Sequence, residues 1–169
     1  MLRLLVVLLV FWSNQALSLD IVPSESVLGV PWDSTEQEVA KILGESNGYF
    51  QTTKYNKLVF YGKSVVLIFT RGKLKGFRYH DVCCTDLYNT SVSINSKYSR
   101  EAVVFNGIDL KGKTFQEINE LLPFELGKPD YRAEIATDEV TIEFGFSSRG
   151  YPGQQDQFNF NSLKIDYEL

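Results

Sequence analysis

Apolar residues recur at helical spacing in two short stretches of the chain and alternate with polar ones in several others. Val39, Ile42 and Leu43 make one stripe, and Phe115, Ile118, Leu121 and Leu122 the other, so each stretch predicts a short amphipathic helix that must cover something flat. Asp33 with Glu36 and Thr114 with Glu117 have capping-box spacing, in which the first side chain satisfies an orphan amide and the acid reaches back. Gly44 and Pro123 stop the two helices.

A flat partner follows each helix. Residues 58–61 and 64–70 are β-rich runs joined by Gly62-Lys63, the spacing of a two-residue type II′ turn, and residues 73–79 follow the Arg71-Gly72 turn as a third strand. Gly76 reads as a one-residue bulge, because skipping it brings Leu74, Phe77 and Tyr79 onto one face. In residues 139–146, Val140, Ile142, Phe144 and Phe146 alternate with Thr141 and Glu143. Near the end, Leu163, Ile165, Tyr167 and Leu169 alternate with Lys164, Asp166 and Glu168.

The stretches repeat. Leu28-Gly29-Val30 before the first helix corresponds to Asn106-Gly107-Ile108 before the second, and Val39 aligns with Ile118, Gly62 with Gly145 and Leu74 with Leu163. The second unit therefore carries insertions, the longest at residues 147–157, a Gly/Pro/Gln-rich hairpin loop whose Arg149 and Tyr151 are residue types that anchor interfaces.

A Gly-x-x-x-x-(Ser/Thr)-x-x-Glu-(Val/Ile)-x-x-(Ile/Leu)-Leu helix, a Tyr-Gly-x-x-Val-x-Leu-x-Phe hairpin and Gly-x-Leu-x-x-(Phe/Ile) together resemble the unit found in tandem in β-lactamase inhibitor protein. Single units of this kind occur in small envelope lipoproteins that assist outer-membrane β-barrel assembly. The resemblance covers residues 29–79 and, less closely, 107–167. It implies two sheets side by side with helices on one face and the other face open to a protein. It lends a fold and no activity. There is no lipid-bearing Cys near the leader, which is where this chain departs from the lipoproteins.

Residues 1–18 read as a signal peptide: Arg3 is the basic end, residues 4–12 are an uninterrupted apolar run, and Ala16-Leu17-Ser18 supplies small residues for cleavage. The run is shorter than the roughly 20 residues of a membrane span, so no permanent anchor is expected. Export makes the protein periplasmic or secreted. Of 169 residues, 17 are Lys or Arg and 21 Asp or Glu, a formal charge of −4, with no basic cluster suited to nucleic acid. The two Cys are neighbours, Cys83 and Cys84, and can form a vicinal disulfide, bridge two chains or stay reduced if buried.

Enzymatic chemistry is poorly served, since His80 is the only His and no Gly-x-Ser-x-Gly, His-Glu-x-x-His or phosphate-cradling loop is present. His80, Cys83, Cys84 and Asp86 could make a metal or thiolate site, but spaced ligand pairs are absent. Asn89-Thr90-Ser91 is a glycosylation sequon in a eukaryotic secretory setting. The expected fold is α+β, two tandem helix-plus-antiparallel-hairpin units (residues 19–80 and 106–169, connector 81–105) with short helices on one face of an antiparallel sheet. The expected function is a cofactor-free, non-enzymatic module that binds a protein, an enzyme or toxin, as an inhibitor or immunity-type protein. Its expected anchors are Arg149 and Tyr151, with the sheet face of Tyr61, Val66, Ile68 and Arg78. A structural or assembly factor of the bacterial envelope, capturing a strand at a sheet edge, is the second class. A small enzyme using His80 with a Cys is the third.

Overall fold

The computed structural model describes residues 18–62, 64–81, 98, 102–148 and 158–168. Cys83, Cys84, Asp86, Asn89, Arg149 and Tyr151 lie outside the described residues, as do residues 1–17 of the expected signal peptide. The architecture is α+β, two sheets and two short helices.

The larger sheet has seven strands in the order β10-β11-β12-β7-β6-β5-β4, every neighbour antiparallel. These are β4 (Gly48–Gln51), β5 (Asn56–Tyr61), β6 (Val65–Thr70), β7 (Lys73–His80), β10 (Arg132–Ala136), β11 (Val140–Ser148) and β12 (Phe158–Tyr167). The smaller sheet, β3-β2-β1-β8-β9, comprises β1 (Leu19–Val22), β2 (Ser26–Val27), β3 (Val30–Pro31), β8 (Val103–Phe105) and β9 (Ile108–Asp109). Its β1–β8 pair is parallel, a departure from the all-antiparallel expectation. Val103–Phe105, which the spacing assigns to the connector, are thus sheet residues, with Val103 and Phe105 buried, and Tyr98 is also in the core, its hydroxyl donating to Leu43 O at 2.7 Å.

Cross-strand pairing sorts the large sheet into two faces. The inner face carries Val59, Tyr61, Val65, Leu67, Phe69, Leu74, Phe77, Tyr79, Phe144, Leu163 and Ile165. These share one apolar core with Leu19, Ile21 and Phe105 of the small sheet, Val39 and Leu43 of α1 (Glu36–Leu43), and Phe115 and Ile118 of α2 (Phe115–Leu121). Both helices and the small sheet therefore cover the same face. Ring contacts tie the layers: Phe105 meets Phe144 edge-on at 5.2 Å, Phe115 meets Phe146 at 5.0 Å, and Trp32 stacks on Tyr167 at 5.2 Å while its Nε1 donates to Pro23 O.

Four local expectations are corrected. The first capping box is Thr35 with Glu38, not Asp33 with Glu36; Asp33 has φ +63° and pairs instead with Lys75 at 2.7 Å, while Thr114 with Glu117 caps α2 as expected. Ile42 and Leu121 are each 50% exposed, because each is rotated by about 100° from the next residue, Leu43 or Leu122, which does face the core. The β5–β6 hairpin closes at Tyr61↔Val65, so Ser64 lies before the strand rather than in it; Lys63, of the expected two-residue turn, lies outside the described residues. Gly145 lies within β11 opposite Ser162, not in a turn like Gly62.

The bulge in β7 is present, with Lys75 as the extra residue and Gly76 paired to Ile68. Gly76 fits a close approach there, since a Cβ would stand 3.1 Å from Ile68 Cβ and 3.2 Å from Ile165 O, so that its neighbours would have to give way. A second bulge places Asn161 as the extra residue of β12.

The caps carry a pH dependence. Glu38 and Glu117 sit below the ordinary carboxyl value of 4.5, first because each accepts the backbone N–H of its capping Thr and then because of that Thr's hydroxyl. A carboxyl depressed in the folded state contributes stability above its unfolded value, lost as pH falls through the lower folded one. Glu38→Gln with Glu117→Gln is therefore expected to destabilise the protein at neutral pH and to converge with wild type in acid. Urea unfolding at a series of pH values checks this; a constant difference would refute it.

Candidate functional site

The outer face of the large sheet is divided by residue type. Across β6, β5 and β4 it presents Val66, Ile68, Phe60, Leu58 and Phe50; across β7, β12, β11 and β10 it presents Arg78, His80, Ser162, Lys164, Asp166, Thr141, Glu143, Arg132 and Glu134. Phe60 and Val66 are buried but stand apart from the main core, whereas Ile68 and Leu58 are half-buried and Phe50 is 55% exposed.

Three of the four sheet residues singled out by sequence share this face: Val66, Ile68 and Arg78. Arg78 is exposed and directly opposite Val66, and Val66 is only 7% exposed. Tyr61 does not join them. It points to the core, 2% exposed, with its hydroxyl donating to Gly44 O and its ring edge-on to Tyr98, and burial pushes its pKa up to about 12. Strand alternation explains the split: Tyr61 pairs with Val65, and Val65 and Val66 face opposite ways. The outer side of β10, β11 and β12 is mixed in charge, since Lys164 pairs with Asp166 at 2.6 Å and Arg132 with Glu143 at 3.8 Å.

The charged half contains a groove of about 570 Å³. Arg78 and His80 line it from β7, Asn161, Ser162 and Lys164 from β12, Glu143 and Gly145 from β11, and Tyr131 and Arg132 from the β10 end. Gly145 helps form its floor: a Cβ there would fall 1.9 Å from Ser162 Oγ. Tyr131, 58% exposed, stands with its ring 4.9 Å from that of Phe158. Beside the groove Tyr79 turns inward and its hydroxyl donates to Asp81; burial first, then that bond, raises its pKa.

A row of charge, Glu134, Glu143, Lys164 and Arg78, runs across four strands as successive cross-strand partners. Its two ends are like-charge pairs, an unfavourable arrangement for stability alone. Sequence reasoning found Arg78 and noted Glu143, but missed Arg132 and Lys164 as companions. The signal was the alternation of residues 163–167, which already put Lys164 outward.

At the far edge, β4 is Gly-Tyr-Phe-Gln, with Tyr49 66% and Phe50 55% exposed and no charge or Pro in the strand, whereas the opposite edge, β10, carries Arg132 and Glu134. Among the described residues no helix is long and apolar enough to cross a membrane, and no group of three or more His, Cys, Asp or Glu is arranged to hold a metal ion. Comparison of the chain with family models, with curated proteins and with solved structures found no match.

Proposed function

We propose that the chain is an exported, non-enzymatic protein-binding module that occludes a secreted or periplasmic enzyme or toxin, in the manner of an inhibitor or immunity protein. The observation that carries this reading is the outer sheet face. All helices and the second sheet among the described residues pack on the other side, leaving a surface six strand spacings wide, about 29 Å, half apolar and half charged. That width suits a protein better than a small ligand, and an apolar patch bordered by charge is a common interface mark.

The same reading takes the two halves as tandem units, as the resemblance to β-lactamase inhibitor protein implies. Several paired features support it. Leu28-Gly29 and Asn106-Gly107 both form two-residue turns at positive φ. Both helices begin with a Thr–Glu box, and each capping Thr bridges to a later strand, Thr35 to Lys73 and Thr114 to Asn159. Counting from those bridges, the extra residues Lys75 and Asn161 occupy the same place. Leu74 then corresponds to Phe160 rather than to Leu163.

Leu58→Glu with Ile68→Thr is expected to abolish capture of the partner from the source organism's envelope while leaving the thermal midpoint within a few degrees of wild type. Recovery of a stoichiometric hydrolase or toxin by wild type alone supports the reading; equal recovery by the variant refutes it. The second reading, an envelope assembly factor, is favoured by the uncharged β4 edge. There Tyr49→Pro would remove capture of outer-membrane components, because Thr52 N–H donates to Asn56 O and strand alternation then turns the Tyr49 N–H outward.

A further inference from the structure

We propose that the groove on the charged half of the outer face binds an acidic, extended segment of the partner, with Glu or Asp at alternate positions meeting Lys164, Arg78 and Arg132. The proposal deepens the protein-binding reading and rests on it.

The local sign of charge is the first support. Arg78, Arg132 and Lys164 line the groove against Glu143 as the one carboxylate among its described lining residues, although the chain as a whole has a formal charge of −4. The second is that two of these cations are little used by the fold, while Lys164 is held on the same face by Asp166 at 2.6 Å. Arg78 is exposed and makes no ion pair among the described residues, and Arg132 reaches Glu143 only at 3.8 Å with its side chain 76% exposed. Arg78 and Lys164 face each other across β7 and β12, where opposed like charges weaken a sheet. An anion lying between them relieves that repulsion, so binding and stability gain from the same contact.

Geometry selects the occupant. Arg78 on β7 and Arg132 on β10 are three strand spacings, about 14 Å, apart across the sheet and two residues, about 7 Å, apart along the strands, hence about 16 Å in all, with Lys164 directly opposite Arg78. A small dicarboxylate spans far less. In an extended peptide, residues i and i+4 stand about 13 Å apart with i+2 on the same side, so acidic side chains at these positions come within side-chain reach of the three long cations. The floor helps: Gly145 has no side chain to obstruct the segment, and Asn161 and Ser162 offer polar groups beneath it.

The test is titration of the isotopically labelled protein, followed by amide NMR shifts, with three probes: acetyl-Glu-Ser-Glu-Ser-Glu-amide, its Gln-for-Glu counterpart and succinate. Saturable shifts at Gly145, Ser162 and Lys164 are expected with the acidic peptide, with at least tenfold weaker binding of the other two. Arg78→Glu should weaken the acidic peptide at least tenfold without lowering the thermal midpoint, because it removes the like-charge pair with Lys164 on an exposed position; loss of binding therefore cannot be ascribed to unfolding. Absence of shifts with the acidic peptide overturns the proposal, as does equal binding of the Gln peptide or of succinate. A captured partner that binds R78E as tightly as wild type also overturns it, yet leaves the protein-binding reading standing.

Discussion

Phe144→Ala is expected to lower the unfolding free energy by about 4 kcal/mol, the upper part of the range for a fully buried aromatic. Phe144 is 0% exposed at the centre of β11, cross-strand from Leu163 and Ala133, and its ring takes the edge of Phe105 from the other sheet. Truncation therefore leaves a void between two sheets that cannot close without sliding one over the other, and it also removes an aromatic pair. Since domains of this size are stable by only about 5–15 kcal/mol, the variant should sit close to its unfolding threshold at 37 °C. Urea denaturation with an unchanged slope checks the figure; a loss below about 2 kcal/mol would mean that the inter-sheet layer is loosely packed.

The second large effect concerns the two bulges. At the first, bulky Ile68 faces Gly76; at the second, Gly145 faces Ser162, so large and small have changed strands. Gly76→Ser is expected to lose about 2 kcal/mol by overpacking against Ile68 and the Ile165 carbonyl. Ile68→Gly made alone should also lose about 2 kcal/mol, through lost burial and a freer backbone. The double variant reproduces the arrangement of the second bulge and should recover about 1 kcal/mol of the summed loss, a coupling read directly from a double-mutant cycle. Strict additivity would show that the two bulges, however similar in position, are not built to the same packing rule.

Much of this architecture was readable beforehand because it rests on local chemistry. The helix stops at Gly44 and Pro123 and the Thr114–Glu117 box follow from local residues, whereas the spacing places the first box two residues early, at Asp33 and Glu36 instead of Thr35 and Glu38; β5 through β7, β11 and β12 follow from runs of apolar and β-branched residues. The misses share a physical cause. β4 and β10 are edge strands, largely exposed, so no apolar alternation marks them. The small sheet is made of strands two to four residues long, too short to show a period, although Asn106-Gly107 between Phe105 and Ile108 is a strong turn signal. The parallel β1–β8 pair joins residues far apart in the chain and leaves no local trace. At the candidate site, Arg78 and Ile68 were legible from strand parity, whereas the grouping of Tyr61 with them failed because parity has to be carried across a loop whose length was misjudged.

The place of β12 has a consequence for how the chain acquires its structure. It lies between β7 and β11, so the strand nearest the end of the sequence is an interior member of the large sheet. During synthesis, β4 to β7 can pair as soon as they emerge, but the outer rim of β7 must wait, with its amides and carbonyls unpaired, for residues translated more than seventy positions later. Such distant closure slows folding, and an unpaired rim invites pairing with other chains in the interval. A nascent chain arrested before β12 should consequently be the aggregation-prone species, and a chaperone that shields the rim of β7 would have most to do in that interval.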